Sequence, residues 1–324
     1  MALRVAVIAN FHPDEQGGSE MLSRITTLLR CSRPDATEIT IHAAIRGDAF
    51  PDPSEYDLVI LTGGPFNLLK DTEENERPEW VRQTLGWVQE AVKIHEASGL
   101  SEPGSRKKAK LLGICWGHQA IALALGGRLG QVAQERGGQL IGVETVPLTS
   151  QGAAFFKAES LDIQKNHGLV VTDPGPRLTP VAAGSSSSQN EVLLSHSPPI
   201  LTFQGHPEMD AALARLFAGF ATGGASDRAD WIPSEGLKGI DDPAPELVAP
   251  GNDDDDDNDN DDENKAIITS TLPNFDSATT CLIITYIDKN GNNRRTRPTR
   301  PRDPPHPPPP PPGPDPHPHP STGK

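Results

Sequence analysis

Leu111-Leu112-Gly113-Ile114-Cys115-Trp116-Gly117-His118-Gln119 is the stretch on which the reading of this chain turns. Its apolar run predicts a buried strand over Lys110–Ile114, followed by a helix over Gln119–Leu125. Cys115 then stands at the apex of a strand-to-helix turn, lifted above the sheet edge as in a glycine-flanked nucleophile elbow. Gly113 and Gly117 leave room for the turn and for the helix to cross close to the strand. The helix N-terminus behind the sulfur favours its thiolate form.

Downstream, Phe203-Gln204-Gly205-His206-Pro207-Glu208 ends a second apolar strand in a histidine and a carboxylate. His206 is the candidate base, able to deprotonate the thiol and later to protonate a leaving amine. Glu208 is placed to orient the imidazole and stabilise its cation, with Pro207 stiffening the turn between them. His118, His167 and His196 compete for the base role. His118 follows the cysteine too closely, and His196 falls in a serine-proline loop. Upstream, Leu61-Thr62-Gly63-Gly64-Pro65 follows the most apolar strand of the chain. Its two glycines let backbone amides point into a site, and the Gly64 amide with that of Trp116 is the expected oxyanion hole.

These three segments sit in an alternating pattern. Strands are expected at Arg4–Ala9, Glu38–Ala43 and Tyr56–Thr62. Helices are expected at Gly18–Leu29, with Met21, Ile25 and Leu28 on one face, and at Glu79–Ala97, with Trp80, Leu85, Val88, Val92 and Ile94. Such alternation implies an α/β fold, a mostly parallel central sheet with helices on both faces and its site at the carboxyl ends of the strands. After Gln139 come short strands, Leu140–Val146, Leu169–Val171, Val192–Leu194 and Ile200–Phe203, and a closing helix, Asp210–Ala221, with Leu213, Leu216, Phe217 and Phe220 inward. Residues 1–232 therefore read as one domain. Residues 233–324 read as a largely disordered tail, with an aspartate tract from Gly251 to Glu263 and fourteen of the chain's 33 prolines from Pro298 onward. Two β-like runs between them, Ala266–Leu272 and Cys281–Ile287, are aggregation-prone unless paired.

A net charge of −15 over 324 residues argues against a general binder of nucleic acid or anionic membrane. Three scattered cysteines form neither a disulfide framework nor a zinc site, and they suit a reducing, cytosolic compartment. The N-terminus runs directly into a strand rather than a secretory signal, and no apolar stretch reaches the length of a membrane span. No dinucleotide fingerprint, phosphate loop or metal-ligand cluster is present, so no cofactor and no metal are expected. His306, His317 and His319 fall in the proline-rich spacer.

Gly63-Gly64-Pro65, then Gly113-Ile114-Cys115-Trp116-Gly117-His118-Gln119, then Gln204-Gly205-His206-Pro207-Glu208 together resemble the class I, triad-type glutamine amidotransferase domain over about residues 3–225. The resemblance implies a catalytic triad of Cys115, His206 and Glu208 and an oxyanion hole from Gly64 and Trp116. It also implies that Gly63 and Gln119 help hold glutamine. Asn166-His167-Gly168 resembles the family's serine-histidine segment at the α-amino and α-carboxylate end of the substrate, with asparagine in place of serine. Biosynthetic members usually have phenylalanine where this chain has Gly205. The glycine variant is similar to stand-alone members, including plant γ-glutamyl peptidases and fungal GMP synthase-like proteins. It is expected to widen the pocket beside the base. No synthetase domain follows Trp231. Two functions are therefore expected: free-standing hydrolysis of glutamine or a γ-glutamyl compound, or ammonia supply to a separate synthetase partner. A third expectation makes the tail a docking arm for a partner.

Overall fold

The computed structural model describes residues 3–32, 37–70, 77–97, 109–132, 138–184 and 190–221. The expected tail at 233–324, with its β-like runs, lies outside the described residues.

The central sheet has seven strands in the order β2-β1-β3-β4-β11-β10-β9. They are β1 (Leu3–Ala9), β2 (Thr37–Ala43), β3 (Leu58–Leu61), β4 (Lys110–Ile114), β9 (Thr179–Ala182), β10 (Val192–His196) and β11 (Pro199–Phe203). The pairs from β2 through to β11 are parallel, and β10 pairs antiparallel with both β11 and β9. The expected mixed, mostly parallel sheet is therefore the one found. Its helices are α1 (Gly18–Ser32), α2 (Glu79–Ala97), α3 (Trp116–Ala124), α4 (Ser150–Phe156) and α5 (Ala211–Ala221).

The two sides of the sheet follow from side-chain alternation along each strand. Val5, Val7, Ile60, Leu112 and Ile114 pack on one side with Ile25 and Leu28 of α1, Phe156 of α4 and Leu213 of α5. Ala6, Ile8, Val59, Leu61 and Leu111 pack on the other with Val88 and Val92 of α2 and Ile121 of α3. Central strand β3 is apolar throughout because both of its faces are covered. Edge strand β2 alternates, and leaves Ile41 exposed.

Among the described strands and α-helices, four escaped the sequence reading: β5 (Arg128–Gln131), α4, β7 (Ser160–His167) and β9. β5 pairs antiparallel with β8 (Leu169–Asp173), and β7 with β6 (Leu140–Pro147). β7 reads Ser-Leu-Asp-Ile-Gln-Lys-Asn-His, and a lysine and a glutamine at buried positions broke the apolar signal. His196 ends β10 rather than lying in a loop, and its side chain is exposed. α3 begins three residues earlier than expected, directly after the cysteine.

Candidate active site

Cys115 sits between β4 and α3 with φ 49° and ψ −98°, a left-handed conformation that side chains avoid at a cost of about 1–3 kcal/mol. The glycines around it make the turn feasible. A Cβ on Gly117 would overlap the Leu61 carbonyl oxygen, and one on Gly113 would lie 2.9 Å from the Gly117 carbonyl. The Cys115 amide donates to Phe203 O at 2.8 Å, and the Gly117 amide to Thr62 O at 3.1 Å, so neighbouring strands clamp the elbow from both sides.

His206 arrives from the end of β11 and is buried, as is Glu208. The imidazole Nδ1 lies 2.8 Å from Glu208 Oε1. Burial opposes charge on the ring. The negative charges of Cys115 and Glu208, and hydrogen bonds to both, outweigh it and hold the His206 pKa well above the ordinary histidine value. The position a Cβ would take on Gly63 is 3.0 Å from His206 Cε1, so the β3 turn touches the ring edge. Asn10, at the end of β1, fixes that turn. Its amide donates to Thr62 Oγ1 and its side chain to Thr62 O, both at 3.0 Å, while Thr62 Oγ1 donates to Gly63 O at 2.9 Å.

His118 is a different kind of histidine. It is fully buried with Nδ1 2.8 Å from Thr202 Oγ1, and desolvation lowers its pKa to about 3. It is a neutral core residue.

A cavity of about 660 Å³ opens over Cys115 and is walled by Gly63, Gly64, Gln119, Asn166, His167, Gly168 and His206 among others. Of the triad, oxyanion-hole and substrate-binding residues expected from sequence, Trp116 and Glu208 are not on its wall. Glu208 lies behind His206. The Trp116 ring packs in an aromatic cluster, 5.3 Å from that of Trp80, and its amide belongs to the first turn of α3. Gln119 uses its Nε2 to donate to Leu169 O at 3.1 Å, tying α3 to β8.

β7 brings the rest. The Gln164 carbonyl accepts the His206 amide at 2.8 Å, and the Asn166 carbonyl faces Cys115 Sγ at 3.9 Å. His167 Nδ1 donates to Leu169 O at 3.0 Å, so its proton sits there and Nε2 presents a lone pair. Desolvation first, then the Lys165 charge, keep the His167 pKa well below the ordinary value, against the opposing Leu169 bond. Its Nε2 is buried with no hydrogen-bond partner among the described residues. Lys165, between these two, is buried against Glu191 at 2.8 Å and also pairs with Glu144. Burial raises the Glu191 pKa, and Lys165 pulls it back only in part.

Gly205 does not do what the sequence suggested. It is absent from the cavity wall, and a Cβ there would overlap Ile163 Cγ2 and lie 2.7 Å from Gln164 O. The space that a phenylalanine ring would need is filled by β7. The glycine admits that strand against the base's turn, and the pocket is not widened there.

Sequence reasoning missed several residues of the wall. Gln139 donates from Nε2 to Asn166 Oδ1 at 2.9 Å, so Asn166 is held by a second amide. Nothing local marks Gln139. Phe11, His12, Glu15 and Gln16 follow β1, and the rule that sites lie beyond the carboxyl ends of parallel strands could have found them.

The family described as glutamine amidotransferase class-I matches residues 27–215. The glutamine amidotransferase-like protein chry6 of Gibberella zeae is 49% identical over 245 residues, covering 75% of this chain and 90% of that protein. γ-Glutamyl peptidase 2 of Arabidopsis thaliana is 36% identical over 165 residues, covering 49% of this chain and 64% of that protein. The crystal structure of a glutamine amidotransferase from Methylobacillus flagellatus superposes with a TM-score of 0.51 at 15% identity, over 71% of this chain and 80% of that one, which speaks to the fold. This chain belongs to the class-I glutamine amidotransferase family. Its chemistry is that of an enzyme hydrolysing glutamine or γ-glutamyl amides. Among the described residues no helix is long and apolar enough to cross a membrane.

Proposed function

We propose that Cys115 attacks the γ-carbonyl carbon of glutamine or of a γ-glutamyl amide, with His206 and Glu208 completing a triad. The observation that carries this reading is the strained Cys115 elbow beside an imidazole whose other nitrogen is tied to Glu208 at 2.8 Å. The Cys115 thiolate adds to the carbonyl, and the oxyanion so formed is met by the Gly64 and Trp116 amides. His206, held protonated by its neighbours, passes that proton to the leaving nitrogen. The C–N bond breaks, the amine departs, and a γ-glutamyl thioester remains. His206 then takes a proton from water, whose oxygen attacks the thioester carbonyl. Glutamate leaves and the thiolate is restored.

The amide-lined side of the cavity serves the amino-acid end. Asn166 and Gln139, paired through one donor and one acceptor, keep a further donor and acceptor between them for a carboxylate and an ammonium. The lone pair of His167 adds an acceptor. Residues 1–232 form the catalytic domain in this reading, working in the cytosol without metal or cofactor.

The test is turnover of glutamine and γ-glutamyl amides by the purified full chain and by Cys115→Ser. The variant should lose on the order of 10⁴–10⁶-fold in kcat. Mass spectrometry of wild type quenched during turnover should find a γ-glutamyl adduct on the Cys115 peptide. Retained activity in Cys115→Ser, or an adduct elsewhere, overturns the assignment. The ammonia-donor reading predicts instead that the isolated chain stays idle until a synthetase is added.

A further inference from the structure

The cavity has two unlike halves. One is walled mainly by polar side chains, Gln119, Gln131, Gln139, Asn166 and His167, with Leu169 among them. The other is walled by Phe11, Met21, Met209 and Phe217, with His12, Glu15 and Gln16 at its mouth. Phe11, Met21 and Met209 share one apolar cluster with Cys115 itself, and Phe217 packs against it.

The apolar half lies on the leaving-group side. His206 protonates the departing nitrogen, so that nitrogen and its substituent stand next to His206. Met209 is three residues further on, its amide donating to the His206 carbonyl at 3.3 Å. The adjoining turn is firmly built. Asp210 pairs with Arg24 of α1 at 2.6 Å, the Gly18 amide donates to the Glu15 carbonyl at 2.9 Å, and the Glu15 amide donates to the His12 carbonyl at 3.2 Å. A half-cavity of this kind is far more than a departing ammonia needs, and about 660 Å³ in all falls in the range of pockets that bury drug-sized molecules.

Charge narrows the occupant. Among the described residues that line the cavity none is lysine or arginine, and the one Asp or Glu is Glu15, at the mouth of the apolar half. A leaving group carrying its own carboxylate, as an amino acid does, would meet the acidic Glu15 and no lysine or arginine among the described residues of the wall. We propose that this half binds the amine portion of the substrate, and that the amine is an apolar one without a carboxylate, an aryl or aralkyl amine in γ-glutamyl linkage. The proposal rests on the triad reading for which side the amine occupies.

The experiment measures binding and turnover separately. Calorimetry on full-chain Cys115→Ser compares L-glutamine, γ-L-glutamyl-phenethylamide and γ-L-glutamyl-L-phenylalanine. Burying the phenyl group should make the phenethylamide bind about tenfold to a hundredfold more tightly than glutamine. The phenylalanine compound, identical but for its carboxylate, should bind more weakly than the phenethylamide. Phe217→Ala, on a half-buried position, and Met21→Ala should each shrink the preference for the phenethylamide over glutamine several-fold. Glutamine binding as tightly as the phenethylamide, or a preference untouched by both substitutions, overturns the lobe. A phenylalanine compound that binds more tightly overturns the carboxylate-free assignment. Wild-type turnover distinguishes the two layers. Selective binding without turnover of any of the three ligands would sink the triad reading while leaving an apolar amine site in place.

Discussion

β4 and β7 flank Cys115, the proposed nucleophile, and contribute to it in opposite ways. β4 delivers a side chain, since Cys115 follows its last residue and carries the sulfur that the proposed mechanism uses. β7 delivers position. Its Gln164 carbonyl holds the His206 amide, its Asn166 carbonyl faces the sulfur, and Ile163 occupies the space that Gly205 leaves open. β4 is apolar and buried in the middle of a parallel sheet. β7 belongs to a two-stranded antiparallel sheet and buries a lysine between two glutamates. The difference teaches that reacting groups and the groups that fix their geometry can obey different sequence rules within one site.

Glu208→Gln bears most directly on the comparison, because it removes a charge from the motif side. It should lower kcat on the order of 10⁴-fold, about 5 kcal/mol of barrier, with little change in stability, as stopped-assay kinetics and urea melts would show. A comparable loss from a β7 substitution with no effect on folding would erase the distinction drawn between the two strands. Lys165→Met strands Glu191 and Glu144 without their cation. It should cost about 3–5 kcal/mol at neutral pH by denaturant unfolding, and Lys165→Met/Glu191→Gln should recover most of it. Failure of the double variant to recover would mean that the lysine's packing, rather than its charge, holds β7.

Gly205→Ala should destabilise by about 1–3 kcal/mol, because the new methyl meets Ile163 and the Gln164 carbonyl. Ile163→Ala in the same chain should relieve part of that. Additive losses in the double-mutant cycle would show that β7 is not what position 205 accommodates.

The pH dependence of stability should divide by the sign of each shift. His118 and His167 are held neutral, with folded pKa values below the unfolded one. Each therefore withdraws stability as pH falls below the ordinary histidine value of about 6.5, continuing for His118 to about 3. The slope is about 1.4 kcal/mol per pH unit for each group while it titrates only in the unfolded chain. His206 has a raised pKa, so its contribution is full below the unfolded value and is lost as pH rises through the folded one. Replacing His118 by Gln should flatten the acid limb, and an unchanged limb would remove His118 from the account. Gln139→Ala should have the smallest effect, a several-fold rise in KM for glutamine worth about 1 kcal/mol with kcat nearly kept. A fall in kcat alone would place Gln139 with the transition state instead of the amino-acid end.

Much of the β4 side was legible because its signals are local. The elbow needs small residues where helix and strand cross, and Gly113 and Gly117 stand at that spacing around Cys115. His206 and Glu208 are two residues apart, so one turn brings them together. β7 gave no such signal. Its buried Lys165 pairs with Glu144 in β6 and with Glu191, just before β10, both distant in the chain, and hydropathy along the segment reads such a residue as solvent-facing. Gly205 was read as an opening for the same reason. A missing side chain shows in the sequence, and the strand that fills its place does not.

By itself the sequence determined the alternation that builds the parallel sheet, the placing of a cysteine, a histidine and a glutamate at its strand ends, and hence the family and its amide chemistry. These depend on residues close in the chain, whose geometry is set by backbone sterics and apolar periodicity. The tertiary structure alone decided that β7 holds the His206 amide, that Gln139 holds Asn166, and that the cavity joins amide side chains with an apolar cluster. Those features are contacts between distant segments, set by packing, and no single stretch of residues contains them.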